Sequence, residues 1–467
     1  MKVTWFIKAA CLSAICALAF LPVRAADGSQ ASQSNVWLAQ RLRHVPDNQY
    51  REGASTSYAV VHSGKIVAQG TFGYSDLERS ARAHPGTAYA IGSITKQFTA
   101  LIIMQLVEQH KLSIAEPATH YLPELRGFDG VTISQLLRHR SGLPDYLSGN
   151  LGQMGQPLGP LLKRHVTPLG IIQTILGKKA LFTPGSDYAY SNTDYVALGL
   201  IAERVTHVAL HELYRRRIFS RANLRNTTFI SSRKSDNIAV GYDDLVGVRA
   251  SSPDPSWFFA VGDILSTAPD IARFDIALME GQIVRTSTLA SMLPSTVEGI
   301  AFFRTAFGGL PLVGHHGGIP GYESDNEIIS GIHDAVVVLS NFFDNDTEIV
   351  LRRCLTLLYP DRARVAPSSV NEDVAVTRLL LRFLSSMQSG VFPSPEMLTP
   401  PYRKALTPQV RATLTKTFRA LGPVKHAIFR GPMKVGAVTV YNYDIVFAGE
   451  SLPVVFTLDK RRRIDGF

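Results

Sequence analysis

The sequence predicts an α+β protein in two folded parts, a large one over residues 26–360 and a small one over 372–467, with a linker at 361–371. Three observations predict it. Tyr58 to Gly70 reads as a β-hairpin turning at Ser63-Gly64. Phe98, Leu101, Ile102 and Leu106 recur at the spacing of a buried helix. After residue 371, two apolar-striped helices precede a run of alternating strands, a segregated order of helix and strand.

The chain of 467 residues has room for two or three domains, and 45% hydrophobic with 18% charged residues is a globular composition. The first 25 residues read as an export signal. Lys2 and Lys8 precede an apolar stretch from Ala9 to Leu21, and Val23-Arg24-Ala25 suits cleavage before Ala26. A secreted or periplasmic location follows, with an uncleaved membrane anchor as the alternative. Cys11 and Cys16 lie in that segment, without a lipoprotein context, so the mature chain keeps Cys354 alone and forms no internal disulfide.

The net charge of +10 is unevenly placed. Residues 371–467 hold 14 Lys and Arg against 7 Asp and Glu, whereas 26–370 is balanced. A basic tail could touch anionic membrane or cell-wall polymers, and the plainer reading is a solubilising surface. No nucleic-acid motif, and no basic stripe interleaved with aromatics, is present in the sequence.

In chain order, the hairpin is followed by a loop through Arg82 to Gly86 and then by a helix beginning near Ser93. Ser93 and Lys96 sit one turn apart on one face of it. A serine hydroxyl needs a base to become a nucleophile, and a lysine serves only if burial lowers its pKa from about 10.4. The free N–H groups of a buried helix start suit an oxyanion. Alone, the pattern reads as an N-cap serine and a solvated lysine; its company decides otherwise.

Ala115 to Leu125 reads as irregular, and Val131 to Pro144 as a short capped helix running into a sharp turn. Residues 151–180 read as mainly helical with Gly and Pro interruptions. A loop from Phe182 to Asn192 leads to a helix from Asp194 to Thr206, carried by Val196, Leu198, Leu200, Ile201 and Val205, and Leu210 to Ile218 reads as helical too.

Three motifs in this order, Ser93-x-x-Lys96, Leu136-Leu137-x-His139-x-Ser141-Gly142-Leu143-Pro144 and Pro184-Gly185-x-x-x-x-Tyr190-Ser191-Asn192, resemble the serine β-lactamase-related family. That family includes class C β-lactamases, D-alanyl-D-alanine carboxypeptidases, D-aminopeptidases and esterases. Gly262 to Phe274 looks like its helix after the lid region, Gly314 to Tyr322 is similar to its third motif, and Ala335 to Asn341 to the next strand. The resemblance spans about residues 35–358. It implies an antiparallel sheet flanked by helices, with a mostly helical subdomain and the active site between them.

It further implies an acyl-enzyme mechanism without a cofactor, on a small-molecule or peptide substrate. Ser93 would be acylated, Lys96 would take or relay its proton, and Tyr190 would shuttle a proton to the leaving group or the deacylating water. A Tyr190 phenolate near neutral pH would have to sit beside Lys96. Asn192 would donate to the substrate and hold Lys96. The N–H groups of Ser93 and Gly318 would form the oxyanion hole.

The third motif departs from the Lys-Thr-Gly of β-lactamases, reading His315-His316-Gly317. A histidine first is common in the peptidase and esterase branches, and, neutral at pH 7, it grips a carboxylate less firmly than an ammonium. His316 removes a hydroxyl that could bind that carboxylate. Both changes weaken the case for β-lactams. Neighbouring strand residues point to opposite faces, so a metal site at this pair is a poor reading. His139 reads as structural, orienting the turn at Ser141.

Glu372 to Ser389 and Pro408 to Leu421 read as helices. Strands follow at His426 to Phe429, Val435 to Gly449, Leu452 to Leu458 and, after a turn at Asp459 to Arg463, Ile464 to Phe467. This small α+β part is loosely like the cystatin or nuclear-transport-factor-like tails of some hydrolases, and binding or packing is its expected role. Ester or amide hydrolysis is the expected reaction. D-alanyl-D-alanine carboxypeptidase or β-lactamase activity is the enzymatic alternative, and a non-catalytic cell-wall binder on the same fold is the other.

Overall fold

The computed structural model describes residues 53–147, 160–232, 237–243, 248–294, 298–329, 331–342, 347–363, 373–435, 438–447 and 451–466. The stretch expected as an export signal, and residues 26–52, lie outside them. By its internal contacts the chain divides into two compact units, with a boundary after Ala363.

The larger unit is built on six strands: β1 (Thr56–His62), β2 (Lys65–Phe72), β3 (Phe303–Phe307), β4 (Leu310–Ile319), β5 (Tyr322–Ile329) and β6 (Asp334–Ser340). Their order is β2-β1-β6-β5-β4-β3, and neighbouring pairs run antiparallel. The expected hairpin forms, and its first strand lies beside β6, so the early and late parts of the chain share one sheet.

Alternation along the strands explains why both faces are covered. Tyr58, Val60, Val336 and Val338 pack with Val350, Leu351, Cys354 and Leu355 of a helix at Thr347–Leu358. Ala59, Val61, Ala335, Val337 and Leu339 turn the other way, into the main core. That core holds the long helices: α1 (Thr95–Glu108), α3 (Asn192–Thr206) and α4 (Ala268–Met279), with the short α2 (Ile133–Leu137) among them; α5 is the Thr347–Leu358 helix. Phe98 of α1 stacks on Phe274 of α4 with ring centroids 4.3 Å apart.

The structure refines some local readings and corrects others. The helix expected to begin near Ser93 opens with a 3₁₀ turn at Gly92–Ile94 before α1 proper. Ala115 to Leu125 contains a helical turn at Ala118–Tyr121 and a 3₁₀ turn at Pro123–Leu125. Within 151–180, the described part holds a 3₁₀ turn at Pro160–Lys163 and an α-helix of six residues at Pro168–Gln173, less helix than expected, because Gly and Pro interrupt the pattern. The helix from Leu210 becomes a π-helix at Arg215–Phe219. The stretch expected as a linker begins inside a short helix, Pro360–Ala363.

The smaller unit has α6 (Val374–Ser389) and α7 (Pro408–Ala420) followed by β7 (His426–Val435), β8 (Val438–Val446), β9 (Ser451–Asp459) and β10 (Ile464–Gly466), paired in that order. Asp373 caps α6 and Gly390 ends it in the left-handed conformation. Phe383 of α6 meets Phe456 of β9 at 6.1 Å, and Thr377 bonds the Tyr443 hydroxyl at 2.9 Å. A further short helix at Pro400–Ala405 was not expected, although Thr399 caps it and proline in its first turn is compatible with a helix start.

Candidate active site

The 3₁₀ turn that carries Ser93 is wedged against β4. Gly92 has φ +48°, and a Cβ there would lie 2.9 Å from the Gly318 nitrogen. A Cβ on Gly317 would lie 2.2 Å from the Ile91 carbonyl oxygen and 3.0 Å from the Ser93 nitrogen. Glycine at both places lets the turn touch the strand, which sets the Ser93 and Gly318 backbones side by side. The Ser324 hydroxyl closes the seam by donating to the Ile91 carbonyl at 2.8 Å.

A small second sheet fixes the other wall. Tyr89–Ala90 pairs with Ile264–Ser266, which pairs with Thr228–Phe229. The Ile91 N–H donates to the Ile264 carbonyl at 3.0 Å. The segment before that strand, Val261-Gly262-Asp263, is thereby carried past the first turn of α1.

Lys96 is fully buried beneath the half-buried Ser93. Its Nζ lies 3.0 Å from Ser93 Oγ, 2.8 Å from Asn192 Oδ1 and 3.1 Å from the Val261 carbonyl oxygen. Burial pulls the amine down to about 7, against the opposing pull of Asp145 and Asp194. Tyr190 donates its hydroxyl to Ser93 Oγ at 3.0 Å, and Lys96 Nζ stands 5.0 Å from the Tyr190 ring centre. Tyr190 is therefore beside Lys96, as required, but not as a phenolate: burial pushes its phenol upward, outweighing the Ser93 bond.

Asn192 opens α3. Its amide oxygen holds Lys96, as expected, while both its backbone N–H and its side-chain Nδ2 point to Asp145 Oδ1, at 3.0 and 3.2 Å. One of the two amide hydrogens expected for substrate is thus engaged by Asp145. Sequence reading missed Asp145 and the Val261 carbonyl. The first is one of many loop aspartates, and a backbone oxygen leaves no signature at all.

The second motif supports Tyr190. His139 has φ +54° and lies with its ring centre 4.4 Å from that of Tyr190 and 5.1 Å from that of Tyr195. The Ser191 N–H donates to His139 Nδ1 at 3.2 Å, and the same nitrogen is 3.1 Å from Asp194 Oδ2. Ser141 donates to Asp194 Oδ1 at 2.5 Å. Burial raises the Asp194 carboxyl well above its usual range and lowers His139 well below its own. His139 reaches from the Asp194–Ser141 pair to the Tyr190 ring.

His315 faces Tyr190 from β4, with ring centres 6.4 Å apart, and is 4% exposed. Burial, then Lys96, brings its imidazole down to about 3. Nδ1 lies 2.5 Å from the His316 carbonyl oxygen, which can only accept, so Nδ1 carries the hydrogen and Nε2 is a bare acceptor. His316 occupies the opposite face, exposed, with Nδ1 3.0 Å from Asp325 Oδ1. All seven residues expected at the site, Ser93, Lys96, Tyr190, Asn192, His315, Gly317 and Gly318, belong to one constellation around the Ser93 turn.

Comparison with known proteins gives the family and the fold. The family model described as Beta-lactamase matches residues 38–356. Among curated relatives, a protein named as a penicillin-binding protein, PbpX of Bacillus subtilis (strain 168), is 26% identical over 323 residues, covering 68% of this chain and 78% of that one. Among solved structures, the octameric penicillin-binding protein homologue from Pyrococcus abyssi has a TM-score of 0.62 at 22% identity, covering 92% of this chain and 90% of its own; it shows the fold. The D-amino acid amidase from Ochrobactrum anthropi SV3, complexed with L-phenylalanine amide, has a TM-score of 0.61 at 25% identity, covering 70% of this chain and 99% of its own.

Proposed function

The protein belongs to the Beta-lactamase family of serine hydrolases, and from that premise we propose that it hydrolyses an ester or amide through an acyl-enzyme on Ser93. The observation that carries this reading is the 3.0 Å approach of a buried Lys96, brought down to about 7, to Ser93 Oγ. Near pH 7 about half of such an amine is free to take a proton.

In acylation, the neutral Lys96 Nζ removes the Ser93 hydroxyl proton as Oγ bonds to the substrate carbonyl carbon. The carbonyl oxygen, now anionic, receives the N–H groups of Ser93 and Gly318. Tyr190 gives its hydroxyl proton to the leaving nitrogen or oxygen, the bond to carbon breaks, and the Lys96 ammonium returns a proton to Tyr190. Deacylation repeats these steps with water in place of Ser93. A phenol, not a phenolate, suits the donor role.

The third motif supports an ester or amide without a flanking carboxylate over a D-alanyl-D-alanine terminus or a β-lactam. A neutral imidazole presenting a bare acceptor cannot pair with a carboxylate, and His316 is turned to the other face. The likeness to an amidase points the same way. The proposed location is secreted or periplasmic, resting on the charged and apolar pattern of residues 1–25. Among the described residues no helix is long and apolar enough to cross a membrane. The basic tail is proposed to contact anionic cell-wall polymer, on its charge alone.

A panel of p-nitrophenyl esters, D-amino-acid amides and nitrocefin tests the reading. Ester or amide turnover that Ser93→Ala abolishes is the expected result. Nitrocefin hydrolysis exceeding both would favour the β-lactamase alternative, and no turnover of any kind would favour a cell-wall binder.

A further inference from the structure

Beneath the site lies a buried polar hub that the acyl-transfer steps do not use. Asn326 on β5 is fully buried and stands opposite His315 in register. Its side-chain Oδ1 accepts the His315 N–H at 3.3 Å. Its Nδ2 donates to Gln97 Oε1 on α1 at 3.0 Å and to Asp275 Oδ1 on α4 at 2.9 Å. Gln97 and Asp275 are likewise fully buried, and Gln97 adjoins Lys96 in the chain. One amide thus touches the helix of Lys96, the strand of Gly317 and Gly318, and a second helix, α4.

Apolar residues could fill this space. Burying an amide costs roughly 1–3 kcal/mol unless it is hydrogen-bonded, so two amides and a carboxyl in one place specify geometry more than they add stability. Asp275 sets the orientation of the hub. It takes a hydrogen from Asn326, which forces Nδ2 toward α1 and α4 and leaves Oδ1 for the strand. In the flipped amide, two oxygens would face each other at Gln97.

We propose that Asn326 is a positioning residue for acyl transfer, fixing the distance between the Ser93–Lys96 helix and the oxyanion strand, with Asp275 holding it in the working orientation. The inference rests on the Ser93 reading above. A misplacement of about 1 Å can cost about 100-fold in rate, so loss of the tie acts on turnover more than on binding.

The test uses the purified full chain, with Ser93 first titrated by a fluorophosphonate so that rates are counted per reactive serine. Absence of an adduct on the wild type overturns the nucleophile reading and is seen before any hub variant is made. With the adduct present, Asn326→Leu is expected to lower kcat per labelled site 10- to 100-fold while KM moves less than about 3-fold. Gln97→Met, which cuts the α1 arm and leaves the other two, is the second variant should Asn326→Leu not fold, and should lower kcat in the same sense. Asp275→Leu, which removes the acceptor that orients Asn326, is expected to lower kcat in the same sense. Wild-type kcat per labelled site in the folded variants overturns the proposal.

Discussion

Raising the pH from 5 to 9 should activate the nucleophile along the titration of one buried amine. Lys96 loses its proton near 7 because burial penalises the ammonium, and the carboxylates of Asp145 and Asp194 only partly oppose this. The acylation step needs the free amine. Its fraction is about 1% at pH 5, about half at pH 7 and nearly complete at pH 9. The second-order rate of fluorophosphonate labelling should therefore rise about tenfold per unit below pH 6 and level off above pH 8. Tyr190, pushed upward by burial, adds no limb in this window. Lys96→Arg keeps the positive charge but cannot yield its proton. It should label about 100- to 10,000-fold more slowly, with no rise between pH 5 and 9. A flat wild-type profile, or Lys96→Arg within a few-fold of wild type, would refute the assignment of Lys96 as the base.

The same lowered pKa makes a stability prediction of definite sign. Below about pH 7 Lys96 is charged in both states and the folded state carries the burial cost; above about 10.5 it is neutral in both, so the cost disappears as pH rises through that range. Lys96→Met should raise the melting temperature at pH 6, by an amount that shrinks toward pH 10 in thermal melts; the cost removed is on the order of 5 kcal/mol before the lost Asn192 and Val261 contacts are counted. Gly317→Ala places a methyl 2.2 Å from the Ile91 carbonyl oxygen and 2.4 Å from Ser324 Oγ. It should destabilise by about 1–3 kcal/mol in urea titrations and abolish turnover, since the strand must leave the Ser93 turn. His139→Leu removes the ring beside Tyr190 and the acceptor of the Ser191 N–H. It should lower kcat roughly 10- to 100-fold with KM little changed, since it disturbs the proton donor and not the binding surface.

Much of the site was legible because its chemistry is local in sequence. Ser93 and Lys96 are one helical turn apart, and the apolar residues behind them announced the burial that lowers the amine. Asn192 and Tyr190 lie on either side of a helix start, and the His315-Gly317 stretch sits on a strand whose register fixes which histidine faces inward. What escaped depends on contacts between distant segments. Asp145 acts only because its loop folds under Asn192, and the Val261 oxygen acts only because a three-stranded sheet carries it past α1. Asp275 did leave a trace, an acid among Phe274, Ile276, Ala277 and Leu278, but a charge within an apolar run does not say what it faces. The neutral state of His315 was anticipated from its type, whereas its tautomer was not, since that is set by a carbonyl one residue along. The pairing of β1 with β6 is likewise invisible to periodicity, which reports faces and not neighbours.

The central claim is that one hydroxyl, set on a tight turn above a desolvated amine, is the group that becomes acylated. Mass spectrometry of the fluorophosphonate-treated protein tests it most directly. A single adduct on the peptide containing Ser93, formed faster at pH 8 than at pH 6 and missing from Ser93→Ala, is the predicted result. An adduct on another serine, or one that survives Ser93→Ala, would contradict it.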